Sequence, residues 1–406
     1  MSEREKGKRK ILRGAVATSR RVRFRRRLES MPMDIAPHRD AIEAWLILLR
    51  APQLSASRVR ELVERHGDPR RALDAARRGE CVEHATTRAW LRRPDREALA
   101  SDLAWLAIDG HALLTIDCDD FPPLLRETPG APPGLFVAGD AGALWQPQVA
   151  IVGSRNASQS GLANAKSFAR ALAGAGLAIT SGLAEGIDGA AHEAALDAGA
   201  ATIAVLGTGP DIVYPARHRA LPARIEAGGA LVSEFAPGTP GRAENFPRRN
   251  RIIAGLALGT LVVEAGLRSG SLITARYAGD QGRDVFAIPG SIHHPLARGC
   301  HRLIRNGALL VESAEDIVEA LRPLAMRLGA ALSERLAETS PVARSTQDPA
   351  RSRLLDALGE DALGIDALVE RTGLGAAALA SMLLELELDG AVAVERGGLY
   401  IRRPPG

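Results

Sequence analysis

The sequence predicts an α/β protein whose main domain is a doubly wound, mostly parallel β-sheet. Short apolar, β-rich runs alternate with helical segments from Gln146 onwards, and this alternation is typical of parallel sheets with right-handed crossovers. Small or polar residues follow most of these runs, as expected where strands lead into tight turns. The predicted domains are, in chain order, a basic and disordered arm over residues 1–33, a small helical domain over 34–110, the sheet domain over 111–322, a linker over 323–350 and a winged-helix domain over 351–406.

Length and composition limit the class of protein. A chain of 406 residues is long enough for two or three domains. Aromatic residues make up only 3% of it, so a nucleic-acid site here would have few rings for base stacking. The cysteines, Cys81, Cys118 and Cys300, are scattered and odd in number, which favours a reducing, cytoplasmic location. No apolar run approaches the roughly 20 residues of a membrane span.

The first 30 residues hold most of the positive charge. They contain twelve Lys or Arg against three Glu, so the net charge of +4 for the whole chain leaves the remainder slightly acidic. One interpretation is a disordered arm that binds nucleic acid. The alternative is that translation starts at Met31 or Met33, since nothing before these residues has a helical or strand period.

The sequence of the small helical domain predicts helices at Ala41–Leu49, Ser55–His66 and Pro69–Arg78. Small helical hairpins of this kind often present backbone amides to DNA phosphates. The turn at residues 51–55 lacks the Gly-x-Gly that close phosphate approach normally needs. We therefore expect this domain to serve in packing or assembly.

The sequence of the sheet domain predicts seven strands that alternate with helices. Helices are expected at Ser160–Ala175, up to Ala198, after Tyr214-Pro215, around residues 246–256, after Ser271 and from Ala314. The predicted strands are Val149–Val152, Ala178–Thr180, Thr202–Leu206, Ala230–Ser233, Leu261–Val263, Asp284–Ile288 and Leu309–Val311.

The carboxyl ends of these strands predict an anion site. In open α/β sheets ligands bind beyond these ends, where free backbone amides begin the next helix. Arg155 lies at one such end, and the cluster Arg248–Arg251 lies near another. The turns contain neither G-x-G-x-x-G nor G-x-x-x-x-G-K-[ST], which argues against a nicotinamide or ATP enzyme. The small residues at the predicted rim are Gly153, Ser154, Ser181, Gly182, Gly207, Thr208, Gly209, Ser269, Gly270 and Ser271.

Candidate catalytic groups are few. Asp188 and His192 are four residues apart and could share a helix face, although a helix cap and a hydrogen-bonded histidine are the simpler interpretation. Glu264 ends a strand and is either a general base or the partner of Arg251 or Arg276; we expect the latter. The pair His293-His294 lacks a third ligand at metal-binding spacing, so we expect no metal site.

A long ordered series of motifs resembles one bacterial family. The chain is similar to the DNA-processing protein A family (DprA, also called Smf) over roughly residues 110–320, although His301 stands where the family usually has Asn. The resemblance implies an extended Rossmann-like fold and a homodimer that binds single-stranded DNA. It also implies loading of the RecA recombinase onto incoming DNA in natural transformation, without catalysis or a cofactor. The motifs are Gly153–Arg155, Ser181–Asp188 with His192, Tyr214-Pro215, Ser233-Glu234, Phe246–Gly255, Val262–Ala265, Ser269–Ala275 and Ala287–Gly290.

Within these motifs we predict the DNA-binding residues. Arginines would supply charge, glycines would let the backbone approach phosphates, and Phe246 would either stack on a base or anchor its own helix. The predicted contacts are Gly153, Ser154, Arg155, Ser181, Gly182, Phe246, Arg248, Asn250, Arg251, Ser269, Gly270 and Thr274.

The terminal module predicts three helices and a hairpin, the elements of a winged helix. The third helix of a DNA-binding winged helix enters the major groove and needs positive charge. Here it carries Glu385, Glu387 and Asp389 and no Lys or Arg, so we expect a protein-contact or regulatory domain. The predicted elements are Arg353–Leu358, Ile365–Thr372, Gly375–Leu388, Val392–Glu395 and Leu399–Arg402.

One enzymatic alternative stays open at this point. Related folds that cleave nucleotide N-glycosidic bonds place a glycine-rich turn before a strand that ends in a catalytic Glu. Leu258-Gly259-Thr260 precedes Glu264 here, but the first two glycines are missing and the spacing is one residue longer.

Overall fold

The structure is a computed structural model that describes residues 36–215, 220–339, 349–358, 363–375 and short stretches after them. It forms two compact units, which divide between Gly329 and Ala330. The predicted basic arm, residues 1–33, lies outside the described residues. Within the described residues, no helix combines the length and apolarity that a membrane crossing requires.

Five helices form the amino-terminal part of the first unit, which is helical as predicted, although the sequence predicted only the first three of them. Their ends follow local signals: Ser55 and Asp68 accept hydrogen bonds from backbone amides of the helices they precede, and Gly67 ends a helix in the left-handed conformation. Leu46 and Leu62 are fully buried between the helices. The helices are α1 Ala36–Arg50, α2 Ala56–His66, α3 Pro69–Arg77, α4 Ala85–Arg92 and α5 Arg96–Leu106.

A nine-stranded sheet follows, in the order β1-β2-β6-β5-β4-β3-β7-β8-β9. Strands β3 to β9 are parallel, whereas β1 pairs antiparallel with β2 and β2 pairs antiparallel with β6. The strands are β1 His111–Thr115, β2 Gly134–Gly139, β3 Gln148–Val152, β4 Ala178–Ser181, β5 Thr202–Val205, β6 Ala230–Ser233, β7 Gly259–Val262, β8 Asp284–Ala287 and β9 Leu309–Leu310.

Helices cover both faces of this sheet. Side chains alternate along a strand, so Val149 and Ile151 of β3 enter one apolar cluster while Ala150 and Val152 enter the other. The predicted doubly wound α/β fold is thereby confirmed. The helices of this domain are α6 Pro123–Arg126, α7 Gln159–Gly174, α8 Ile187–Asp197, α9 Leu221–Gly228, α10 Asn245–Leu256, α11 Ser271–Asp280, α12 Arg298–Arg305 and α13 Ala314–Thr339.

The sequence missed β1 and β2 and misplaced some boundaries. Both strands lie at an antiparallel edge, so neither belongs to a strand–helix–strand repeat that the pattern could reveal. β7 begins at Gly259 rather than Leu261. The first described helix after Tyr214-Pro215 is α9, from Leu221, and the start predicted directly after Pro215 is not tested. Residues 216–219 lie outside the described residues.

Helix α13 runs through Pro323, where the sequence predicted a linker to begin. A proline inside a helix removes one backbone hydrogen bond, which normally ends the helix. Here Ile317, Leu321 and Leu328 are buried against the sheet on both sides of Pro323. Tertiary packing therefore outweighs the local cost, and the predicted linker is helical as far as Thr339.

The second unit has the elements of a winged helix. Its described parts are α14 Pro349–Leu358, α15 Ile365–Thr372 and the antiparallel pair β10 Val392–Glu395 and β11 Leu399–Arg402. The described residues of the predicted third helix supply part of the core: Leu379, Leu383 and Leu386 are fully buried and Met382 partly so. Glu385, Glu387 and Asp389, on which the predicted protein-contact role depends, lie outside the described residues.

Candidate nucleic-acid interface

An open cavity of about 750 Å³ lies at the carboxyl ends of β3 and β7. β3 has β4 on one side and β7 on the other, so the direction in which successive strands are added to the sheet reverses at β3. Such a switch point is where open α/β sheets bind ligands. The polar residues that line the cavity are Ser154, Arg155, Asn156, Asp188, Tyr214, Arg249, Asn250, Arg268, Ser269, Ser271 and Thr274.

The turn after β3 forms one wall of the cavity. A Cβ atom at Gly153 would lie 2.6 Å from the side chain of Ile187, so only glycine fits there. Ser154 accepts a hydrogen bond from the Asn156 amide at 3.2 Å, which holds the turn. The exposed Arg155 guanidinium lies 5.8 Å from the ring centre of Phe246. Arg155 thus offers a cation at the mouth of the cavity.

Phe246 lies between the core of the domain and the cavity. Its ring is half-buried, packs where a Cβ at Gly207 would be only 2.8 Å away, and lies 5.1 Å from the Tyr214 ring. It also lines the cavity. One part of the ring therefore anchors α10, and the other part is available to stack on a base.

The start of α11 forms the opposite wall. The hydroxyls of Ser269 and Ser271 lie 2.8 Å apart, and Asn250 donates a hydrogen bond to the Gly270 carbonyl at 3.3 Å. No atom would contact a Cβ at Gly270, so the backbone there faces open space. Thr274 lies one turn further along the helix and is buried. The start of a helix carries partial positive charge, which favours an anion at this wall.

Arg249 lines the cavity, although the predicted contacts omitted it. It is 4% exposed, donates hydrogen bonds to the carbonyls of Gly182 and Val205, and lines the cavity from below. Its buried Nε has no partner among the described residues. The pKa of Arg249 is lowered to about 10, mainly by burial, with Asp188 acting against the decrease and the charge of Arg155 adding to it. Arg249 is therefore a buried cation directly under the site.

A helical pattern in the sequence contained a signal for Arg249. It precedes Ile252, Ile253 and Leu256 at helical spacing, on the face of α10 that is buried. An arginine on such a face must find buried acceptors, and the carbonyl ends of β4 and β5 provide them.

Arg248 and Arg251 do not join this cavity. Arg251 is largely buried and donates to both carboxylate oxygens of Glu234, at 2.6 and 2.8 Å, and to the Gly130 carbonyl at 2.7 Å. Arg248 donates to the same Glu234 at 3.0 Å. Both line a second cavity, of about 560 Å³, beside the start of α2. Successive helical residues point about 100° apart, so neighbours in sequence do not share a site. The geometry gives Arg251 a structural role.

Two other predicted contacts lie beneath the cavity rather than in it. Ser181 is fully buried and donates to the Ile151 carbonyl at 2.6 Å. A Cβ at Gly182 would be 2.5 Å from the Arg249 guanidinium, so this glycine makes room for the buried arginine. Neither residue lines the cavity.

The candidate catalytic groups have structural partners. Glu264 accepts hydrogen bonds from the Ser158 hydroxyl at 2.5 Å and the Ser158 amide at 2.9 Å, just before α7. The prediction that it pairs with Arg251 or Arg276 is wrong, because the carboxylate points towards α7 instead. Asp188 accepts hydrogen bonds from the amides of Gly182 and Ala184 in the loop before α8. The prediction that it caps the helix is wrong, because Asp188 lies inside α8 and Gly186 occupies the capping position without a side-chain hydrogen bond.

The remaining questions are the partner of His192 and the presence of a metal site. Buried His192 makes a hydrogen bond of 2.7 Å with the Thr202 hydroxyl, in agreement with the simpler interpretation of a hydrogen-bonded histidine. Among the described residues, no three His, Cys, Asp or Glu side chains gather as a metal ion would require.

The fold and the site define a doubly wound α/β protein with a cationic cavity at its switch point and a winged helix after it. The family described as "DNA recombination-mediator protein A" matches residues 112–322, and the "DprA winged helix domain" matches residues 338–398. The chain belongs to this DprA/Smf family of DNA-processing proteins.

Individual relatives agree with this membership. Protein Smf of Escherichia coli strain K12 is 46% identical over 310 residues, covering 76% of this chain and 81% of that protein. DNA processing protein DprA of Streptococcus pneumoniae R6 is 50% identical over 202 residues, covering 49% and 71%. The X-ray structure of DprA from Streptococcus pneumoniae is similar with a TM-score of 0.62 at 38% identity, covering 68% of this chain and 97% of that one.

Proposed function

We propose that the cavity at the ends of β3 and β7 binds single-stranded DNA through its phosphates. The observation that carries this proposal is the charge of the lining: three arginines, Arg155, Arg249 and Arg268, face a single acidic residue, Asp188. The described body of the protein is otherwise not basic, so this cluster is where a polyanion would be attracted. The partial positive charge at the start of α11 adds to this attraction.

The position of Phe246 favours a single strand over a duplex. The ring lines the cavity, and stacking on it requires a base whose face is exposed, as in a single strand but not inside a duplex. Sequence-independent binding of single strands combines such a ring with a basic groove. Fluorescence anisotropy with a labelled single-stranded oligonucleotide and its duplex tests this directly. We expect tighter binding of the single strand, and equal or tighter binding of the duplex would contradict the proposal.

We further propose that the protein is a recombination mediator that loads the RecA recombinase onto incoming DNA in natural transformation. The support is membership of the family described as DNA recombination-mediator protein A. The DNA-dependent ATPase of RecA, measured on DNA coated with single-strand-binding protein, tests the loading step. We expect the protein to shorten the lag, and an unchanged lag would refute the loading role. The three free cysteines are in keeping with action in the cytoplasm.

A homodimer is part of this proposal. β9 is the edge strand of the sheet, and its residues Leu309 and Leu310 are 47% and 49% exposed. An open, apolar edge is a surface that a second copy can cover. Sedimentation equilibrium should give twice the chain mass, and Leu310→Arg should shift it to the monomer. A wild-type monomer at micromolar concentration would contradict this part.

The proposed function is binding without catalysis. Glu264 is used at the start of α7, where Ser158 supplies two donors to its carboxylate, and it does not line the cavity. Incubation with nucleoside monophosphates should therefore release no free base. Release that is lost in Glu264→Gln would instead support a nucleotide N-glycosidase.

A further inference from the structure

One arginine of the helical domain contacts a loop that lines the cavity at the ends of β3 and β7. Arg50, the last residue of α1, donates to both carboxylate oxygens of Asp102 in α5, at 2.5 and 2.6 Å. The same Nη2 atom donates to the Pro237 carbonyl at 2.8 Å. Asp102 is fully buried and Arg50 is 21% exposed. This arginine therefore ties two helices of one domain to the β6–α10 loop of the other.

That loop continues directly into the cavity wall. Residues 236–239 form a turn that is hydrogen-bonded to the segment between β5 and α9. The Asp211 carboxylate accepts from the Gly238 amide at 2.8 and 2.9 Å, and the Gly209 amide donates to the Thr239 carbonyl at 2.9 Å. Gly241 and Ala243 then line the cavity, just before Phe246. A displacement of the loop at Pro237 would reach the side of the cavity that holds the ring.

Arg50 is itself absent from the cavity lining. Burial raises the pKa of Asp102 and the hydrogen bonds from Arg50 act against that rise, so the carboxylate depends on this one partner. Removal of Arg50 would leave a buried carboxylate unpaired and the Pro237 carbonyl without its donor, which favours rearrangement of both helices and loop.

We propose that Arg50 and Asp102 are positioning residues for DNA binding, through which the helical domain holds the β6–α10 loop in the conformation that shapes the cavity. This inference rests on the proposed function of the cavity and assigns the helical domain a part in it. The domain acts on the bound strand through Pro237 and the loop, not through contact with a phosphate.

The salt dependence of binding distinguishes this role from direct contact. Each single-strand phosphate that a cation neutralises contributes a slope of about −0.7 in log K against log salt. Arg50→Ala should weaken single-strand binding by about 3- to 30-fold, the range of couplings through packed networks, with the slope unchanged. Arg50→Lys keeps the positive charge but not the two-pronged guanidinium group. Its affinity for single-stranded DNA should therefore lie between those of the wild type and Arg50→Ala.

The full-length protein should be compared with these variants by anisotropy with a labelled oligothymidylate and by hydrogen exchange of residues 235–245. Asp211→Ala releases the same loop from its other side and leaves the hydrogen bonds of Arg50 to Asp102 and Pro237 in place, so it keeps the test valid if Arg50→Ala fails to fold. Arg96→Ala removes an exposed pair with Glu43 in the same domain and is the matched control.

We expect faster exchange of the loop and weaker binding in Arg50→Ala and Asp211→Ala, and neither effect in Arg96→Ala. Single-strand affinities of Arg50→Ala and Asp211→Ala equal to that of the wild type would overturn this inference. A slope of log K against log salt that is flatter by about 0.7 in Arg50→Ala would also overturn it, since it would indicate phosphate contact. A wild-type protein that binds no oligonucleotide would instead contradict the proposed function.

Discussion

Replacement of Arg251 distinguishes its structural role from the DNA contact that the sequence predicted. The Glu234 side chain is 3% exposed and Arg251 is 11% exposed, so Arg251→Ala leaves a buried carboxylate without its two-pronged partner. Removal of one partner from a buried pair typically costs about 3–5 kcal/mol. Half-exposed Arg248 still reaches Glu234 at 3.0 Å. We therefore expect a loss of about 3 kcal/mol, at the lower end of that range.

Thermal unfolding and DNA binding of the same variant provide the assay. Arg251→Ala should lower the unfolding temperature of the sheet domain while the salt dependence of single-strand binding stays that of the wild type. The double variant Arg251→Met with Glu234→Gln is the control. It removes both charges together, so much of the stability should return. An unchanged unfolding temperature with a salt slope flatter by about 0.7 would refute the reasoning and make Arg251 a phosphate contact.

Three further predictions concern separate parts of the chain. Deletion of residues 345–406 should leave single-strand affinity within about threefold, under about 1 kcal/mol, and a larger loss in anisotropy would give the winged helix a share of the site. Phe246→Leu keeps packing against Gly207 but removes the stacking face, so affinity should fall by roughly 1–3 kcal/mol; unchanged affinity would make the ring purely structural. The Arg70 side chain lowers the pKa of Asp68 to about 2. Its carboxylate should therefore stabilise the fold above the unfolded pKa, near 4, and lose this effect as the pH falls towards 2. Asp68→Asn still caps α3 and should show a shallower acid loss by circular dichroism, and identical pH profiles would contradict the assignment.

The sequence was sufficient for the fold because alternation of strands and helices is a local pattern. It located β3 to β6 within a residue or so and placed the small-residue turns at the correct edge. It missed β1 and β2, because β1 pairs only with β2 and the pairing of β2 with β6 depends on contacts between distant parts of the chain. It ended α13 early at Pro323, since the packing of Leu321 and Leu328 on the sheet is not a local property.

The site was predicted in part for the same reason. Turns that end neighbouring strands meet at one edge, so Gly153–Arg155 and Ser269-Gly270 were brought together as expected. The arginines of α10 required more, because the helix face that packs on the sheet decides which of them reach the cavity. Arg249 enters beneath the cavity, while Arg248 and Arg251 pair with Glu234 on another face.

The salt dependence of single-strand binding by Arg155→Ala tests the central claim most directly. Arg155 is exposed, lines the cavity and lies over Phe246, so its loss should weaken binding and flatten the slope of log K against log salt by about 0.7. Arg170→Ala is the matched control, since Arg170 is an exposed arginine of α7 that does not line the cavity. Affinity and slope that match the wild type in Arg155→Ala, with the fold intact by circular dichroism, would contradict the assignment of this cavity to single-stranded DNA.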